Sequence, residues 1–317
     1  MSIESLQIAL EIILPLFLLM AVGYVVRLTG VVSETAAHQM NRMVFTVFLS
    51  ALVFQNIYSL DRDDLWYHFD SYTLFYTLGG VTLQFLIALC IAFLVESDGS
   101  RRGVMLQGMF YGNFVLFGIP ICNALFGDDA AGPASVLVAV ILPLYYILAV
   151  ISLELFRGGR PGFFRILKGI FTNPLILASI AGILCLIFRI RLPYAISVTV
   201  SNLASVATPL AFVVLGAAFS FRKVGSCAKS LCIALGVKLL FFPAFFLLLA
   251  VLLGFRGVSL AILLAVFASP VAVSSFTMAG EMDGDESLAS QLVVFSSLLS
   301  IGTVFLFIFL LQWFGLL

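Results

Sequence analysis

Long apolar runs separated by short polar breaks fill the whole chain. A helix needs roughly 20 apolar residues to cross about 30 Å of hydrocarbon. Ten runs meet that length, at approximately 6–28, 36–58, 70–95, 103–126, 132–156, 165–188, 195–220, 229–253, 258–280 and 288–314. The breaks include Asp61-Arg62-Asp63-Asp64, Arg101-Arg102, Gly158-Gly159-Arg160-Pro161 and Asp283-Gly284-Asp285-Glu286. Barrel strands would alternate apolar and polar positions in units of about ten residues. These runs are continuous, so the pattern predicts ten membrane-spanning helices, spans 1 to 10.

Composition excludes the competing classes. Of 317 residues, 62% are apolar and only 10% are charged, against about 25% charged in soluble domains. Mean hydropathy is +1.19. A soluble fold leaves roughly a quarter of its unfolded surface wet, too much for so apolar a chain. Sixteen basic and sixteen acidic residues cancel, and no basic stripe invites nucleic acid. The partner expected is the lipid bilayer. Cys90, Cys122, Cys185, Cys227 and Cys232 form no CxxC pair and are expected as small buried hydrophobes. The first run is long enough to span and lacks a basic leader, so no cleaved signal peptide is expected.

The scarce charges orient the chain. Arg27, Arg42, Arg101, Arg102, Arg157, Arg160, Arg165, Lys168, Arg222, Lys223 and Lys229 fall after odd-numbered spans; Arg62, Arg189, Arg191 and Arg256 fall on the other side. Basic residues accumulate in the cytoplasm, which places both termini outside. Glu11 and Glu154 are expected at interfaces near span ends. Lys238 remains, about 13 Å into span 8 at the helical rise, near mid-membrane, where a lysine is costly and is a functional hypothesis by default. It is a counter-charge for an anion, or a cation that neutralises carbonyl ends as a bound ion would, or it snorkels toward an interface.

The chain also carries signs of two related halves. Pro15 is followed by Gly23 in span 1, and Pro174 by Gly182 in span 6, the same spacing in both. A repeat of five spans enters the membrane from the opposite side, which makes it inverted. The halves are 1–157 and 158–317. The fourth span of each half carries a proline among small residues: Tyr111-Gly112-Asn113-Phe114-Val115-Leu116-Phe117-Gly118-Ile119-Pro120-Ile121 and Ala268-Ser269-Pro270-Val271-Ala272-Val273-Ser274-Ser275. Proline removes a backbone donor and clashes with the preceding turn. Freed groups in lipid must find protein, water or ligand. Paired interruptions point to a transporter's central site.

Residues following Pro120 and Pro270 are expected to start the second half-helices. Their free amides and positive dipole ends suit a carboxylate. The candidate substrate-binding set is Asn113, Gly118, Ile119, Pro120, Ile121, Ser269, Pro270, Val271, Ser274, Ser275 and Gln291, with Lys238 for counter-charge or coupling. Gln84 in span 3, like Gln291 in span 10, either faces the site or hydrogen-bonds between helices. Gly118 and Ala272 would let crossing backbones approach. No enzyme constellation is present: His38 and His68 sit near span ends without HExxH, and GxSxG and P-loop patterns are absent. Neither a metal nor an organic cofactor is expected. Energy must then come from an ion gradient, membrane potential or substrate gradient, and the coupling ion, H+ or Na+, stays open.

The stretches Asn113–Pro120 with Phe126-Gly127, Ser269–Ala279, Asp285-Glu286-Ser287-Leu288-Ala289 to Ser296-Ser297-Leu298-Leu299-Ser300, and Met40-Asn41-Arg42-Met43-Val44-Phe45 to Leu49 resemble the auxin efflux carrier family. The resemblance covers essentially the whole chain and suits bacterial members, hence a bacterial inner membrane. It implies an all-α, sodium/proton-antiporter-like fold in which broken spans 4 and 9 cross. It further implies a scaffold of spans 1, 2, 6 and 7, a mobile transport unit of spans 3–5 and 8–10, and elevator-type alternating access. The substrates implied are small organic anions, such as auxin-like acids, malate or malonate. Homodimers through the scaffold are implied as well. Ser50 departs from the pattern, which expects proline there. Two alternatives remain: a sodium-coupled symporter of the bile-acid type, against which the lack of midplane carboxylates argues, and a membrane-embedded enzyme or sensor.

Overall fold

The computed structural model describes residues 2–68, 70–158 and 163–317. Gly159, Arg160 and Pro161 of the mid-chain break lie outside these, as do the side chains of Glu11, Arg62, Arg222 and Lys223. All regular elements among the described residues are helical. Those of eight or more residues are α1 (Ser2–Leu28), α2 (Glu34–Tyr58), α3 (Ser71–Val95), α4 (Gly99–Phe110), α5 (Phe114–Phe126), α6 (Ala131–Glu154), α7 (Phe163–Thr172), α8 (Pro174–Phe188), α9 (Tyr194–Ala218), α10 (Ala228–Leu252), α11 (Gly257–Ala268), α12 (Val273–Glu281) and α13 (Glu286–Trp313), with short helical turns at Arg62–Tyr67, Gly127–Ala130 and Phe221–Cys227. Six of them, α2, α3, α6, α9, α10 and α13, are long and apolar enough to cross a membrane alone. Counting the bent pair α7 and α8 as one span makes seven. Side chains such as Leu14, Phe75, Leu94 and Leu252 are exposed on the outer surface, as a lipid-facing exterior requires.

The run at 165–188 is not one helix. Asn173 Oδ1 accepts from the amides of Leu175 (2.9 Å) and Ile176 (3.4 Å), and Pro174 opens α8. An Asn cap followed by proline starts a helix afresh, and the chain bends there by 59°. Pro15, its expected counterpart, lies inside the unbroken α1. The two glycines of that pattern do share a role. Gly23 of α1 and Gly216 of α9 each lie against the other helix's backbone, at the carbonyls of Val213 and Met20. Gly182 of α8 faces α2, where an added Cβ would come within 3.0 Å of Ile57 Cβ and 3.2 Å of the Phe54 carbonyl. Small residues let such backbones close up. Thus α1 packs on α9 and α8 on α2, with α9 also against α2. Among the other helices α3 packs on α4, α4 on α6, α10 on α11 and α12 on α13, and the two groups meet where α1 contacts α13, α8 contacts α6 and α9 contacts α12.

Three helices contain one wide turn, at Val44–Phe48, Phe114–Gly118 and Val237–Phe241. The amides of Leu49, Ile119 and Phe242 reach back five residues, to the carbonyls of Val44, Phe114 and Val237. The residue after each of these amides is Ser50, Pro120 and Pro243. A turn with one extra residue eases a proline's clash with the preceding carbonyls. Pro120 therefore sits in a helix that continues through it, and does not mark a break as expected. At the exceptional Ser50, the hydroxyl donates to the Phe45 carbonyl at 3.3 Å. Of the cysteines, Cys122 and Cys227 are buried as expected, but Cys90 and Cys232 are exposed, because they fall on outward faces of α3 and α10.

Ion pairs tie the connections together. Arg101 meets Asp285 (2.9 Å), Arg157 meets Asp283 (2.7 Å) and Glu154 (3.1 Å), and Arg27 meets Glu34 (3.4 Å). Arg189 and Asp63 pair separately at 2.6 Å. Glu154 is 4% exposed, so its carboxylate is held inward by Arg157 and does not sit at an open interface.

Candidate functional site

Helices α4 and α11 end where two short extended segments meet, 111–113 and 269–272. Gly112 and Val271 form an antiparallel bridge. The Asn113 amide donates to the Pro270 carbonyl at 2.8 Å, and the Ala272 amide to the Tyr111 carbonyl at 3.3 Å. The Val271 amide donates to Ser296 Oγ of α13 at 3.0 Å. Backbone groups that a helix would pair internally are thus paired between the segments, as a water-poor interior demands. Gly112 is required by this approach. A Cβ there would collide with Ser269 Oγ and come within 3.0 Å of Lys238 Nζ and 3.3 Å of the Val266 carbonyl.

Lys238 reaches the first break from α10. It is fully buried, and its Nζ donates to the Phe110 carbonyl at 3.2 Å. The last carbonyls of a helix carry partial negative charge, and a cation there is stabilising. The Lys238 ammonium thus lies at the carbonyl end of α4. At the second break Pro270 has no N–H to offer the Val266 carbonyl. Ser269 Oγ donates to that carbonyl instead, at 3.2 Å.

The sequence-derived set divides. Ser269, Pro270 and Val271 form the second segment, and Asn113 closes the first. Ser274 sits in the first turn of α12, where its hydroxyl pairs with Tyr111 Oη at 2.7 Å, and Ser275 is buried beside it. Gly118, Ile119, Pro120 and Ile121 lie further along α5, because the break falls at 111–113 rather than at Pro120. Gly118 still serves close packing: a Cβ on it would come within 2.9 Å of Ala265 Cβ on α11. Gln291 is occupied within its own helix, donating to Ser287 Oγ at 3.1 Å.

Buried polar atoms without partners are concentrated in this half of the molecule. They include Asn113 Nδ2, both amide atoms of Gln84, and the Oε1 atoms of Gln107 and Gln291. Buried amides without partners are rare in folded proteins, so these are groups a ligand or water would satisfy. Gln107 escaped the sequence reading, as did the aromatic group around the break. Tyr145 of α6 lies 5.3 Å from the Tyr111 ring, and Phe85 of α3 lies 5.3 Å from Phe110. The Tyr145-Tyr146 pair beside Pro143 was the only local sign of them. Among the described residues no three His, Cys, Asp or Glu side chains converge as metal ligands.

A cavity of about 1030 Å³ opens between α1, α2 and α9 on one side and α12 and α13 on the other. Contacts cross it. Asn41 of α2, 3% exposed, donates from Nδ2 to the Thr277 carbonyl at 3.1 Å. His38 Nδ1 lies 3.3 Å from Glu286 Oε1. These residues come from distant positions, so no spacing in the sequence announced the cavity.

The chain matches the model of one family, described as membrane transport protein, over residues 8–161 and 163–308. It is also 24% identical, over 307 residues, to an uncharacterized transporter of Methanothermobacter thermautotrophicus. That similarity covers 92% of this chain and 94% of the relative.

Proposed function

We propose, from the premise that this chain belongs to the membrane transport protein family, the auxin efflux carriers, that it is a secondary transporter of a small organic anion. The reading places ten spans in the inner membrane with both termini outside. Segments α4 and α5 make one broken span, and α11 and α12 another. Each half-span alone is too short: twelve residues rise about 18 Å. The meeting of 111–113 with 269–272, braced by Lys238, is the observation that carries the proposal.

An inverted repeat is supported by length and by packing. Helices α2 and α9 have 25 residues each, α3 and α10 have 25 each, and α4 and α11 have 12 each. If the halves 1–157 and 158–317 are equivalent, the contact of α1 with α9 is the counterpart of α8 with α2, and α3 with α4 that of α10 with α11. Two helices from each half, α1 and α2 with α8 and α9, would make the scaffold and the rest the transport unit, with the large cavity between them. An anion would sit against the first-turn amides of α5 and α12, which have no acceptor within their own helices. Asn113 Nδ2 would donate to it. Movement of the unit past the scaffold would expose this site alternately to the two sides. The scaffold also offers the surface for a homodimer. No cofactor is required beyond a driving gradient of H+, Na+ or the substrate itself.

Uptake of labelled malate, malonate and an auxin-like acid into vesicles tests this reading. Wild type should transport at least one of them. Asn113→Ala, Pro270→Leu and Lys238→Ala should each reduce that uptake. Undiminished uptake in all three would remove the site. A strict sodium requirement would favour the sodium-coupled alternative.

A further inference from the structure

We propose that the cavity beside α7 binds the phosphate headgroup of an anionic phospholipid. The inference goes beyond transport and needs only that the chain lies in a bilayer. In α7, Phe164, Leu167 and Phe171 recur at helical spacing, and they are 83%, 39% and 62% exposed. Arg165, Lys168 and Thr172 recur at the same spacing one residue on. A helix that leaves an apolar stripe uncovered and carries a basic one lies in the plane of the membrane interface, its apolar side among the acyl chains. The 59° bend at Asn173 turns α7 out of the direction of α8.

The basic stripe faces a cavity of about 470 Å³, lined also by Glu154, Arg157 and Asp283. Arg157 reaches both carboxylates, while Glu154 Oε2 has no partner among the described residues. Arg157 donates from Nε to Asp283 at 2.7 Å and from Nη1 to Glu154 at 3.1 Å. Arg165 spends one N–H on the Arg157 carbonyl, at 2.7 Å, which fixes its guanidinium at the cavity and leaves further donors. Neither Arg165 nor Lys168 has a carboxylate partner among the described residues. The three cations of the lining exceed its two carboxylates by one charge, and at the level where headgroups lie that excess fits one phosphodiester.

The test is native mass spectrometry of the purified full chain with phosphatidylglycerol, phosphatidylcholine or soluble glycerol 3-phosphate. Wild type should retain one phosphatidylglycerol in preference to phosphatidylcholine. Each basic residue near the surface contributes about a fivefold preference for anionic lipid. The double variant Arg165→Gln/Lys168→Gln should therefore bind phosphatidylglycerol about 30-fold more weakly. Arg256→Gln, on a distant connection, should leave binding unchanged. Lys168→Gln alone breaks no side-chain hydrogen bond or ion pair among the described residues, so it reports even if the double variant does not fold, with a drop of about fivefold. Equal retention of both lipids, unchanged binding in the variants, or competition by glycerol 3-phosphate as effective as the lipid itself would overturn the proposal.

Discussion

At Ser269–Ala272 the chain leaves its helix because of what lies in that segment. Pro270 lacks an N–H, and the neighbouring Ser269 hydroxyl takes over the Val266 carbonyl. At Tyr111–Asn113 there is no proline, and the carbonyl left over at Phe110 is taken by Lys238, from 128 positions away. The bridging residues differ in the same sense. Val271 carries a side chain into the core at 1% exposure, while opposite it only Gly112 fits. One break is written locally; the other exists only once the rest of the molecule is assembled around it. Substitutions at the assembled break should therefore propagate further than those at the local one.

Among substitutions at the two breaks, the largest effect is expected at Gly112. Gly112→Val forces a branched side chain against Ser269, Lys238 and the Val266 carbonyl at once. Overpacking of this kind costs about 3 kcal/mol. Thermal unfolding in detergent should show it as a large fall in melting temperature, and a melting temperature equal to wild type would show that the segments are not in contact. Lys238→Met comes next. It keeps the volume and leaves the Phe110 carbonyl without its donor, at about 2 kcal/mol. Ser269→Ala removes only a local hydroxyl, worth about 1 kcal/mol. If the serine variant proved as damaging as the lysine variant, the distinction between assembled and local breaks would fail.

That distinction also decides what can be read from the chain alone. Hydropathy marks the runs because lipid imposes them residue by residue. The second break is legible because proline announces a missing donor wherever it occurs. Lys238 is legible by its depth in an apolar run, although its partner is not. The first break was displaced toward Pro120, because a proline that follows a wide turn looks, in sequence, like one that opens a helix. Asn173-Pro174 was visible as a dipeptide, but its capping geometry, which splits α7 from α8, depends on a backbone angle that hydropathy does not encode. Gln84 is legible as an amide inside an apolar run, but the orphaned amide of Gln107, the aromatic group around Tyr111, and the cavity between α2 and α12 join residues from several helices. No one-dimensional pattern carries them.

The smallest effect is expected at Ser50, and it sharpens the comparison from the other direction. Ser50 occupies the place after a wide turn that Pro120 and Pro243 occupy after theirs. If the turn itself accommodates the proline ring, the residue at that place is free to be either. Ser50→Pro then loses the backbone N–H and the hydroxyl's bond to the Phe45 carbonyl without adding a ring clash, and should cost no more than about 1 kcal/mol. Val53, one turn on in the same helix and 1% exposed, has no wide turn before it. Val53→Pro should cost about 3 kcal/mol or more. Melting temperatures of the two variants, side by side, separate the explanations. A severe loss at Ser50 would mean that proline is tolerated at 120 and 243 for reasons particular to α5 and α10. A small loss there with a severe one at Val53 would locate proline tolerance in the wide turn.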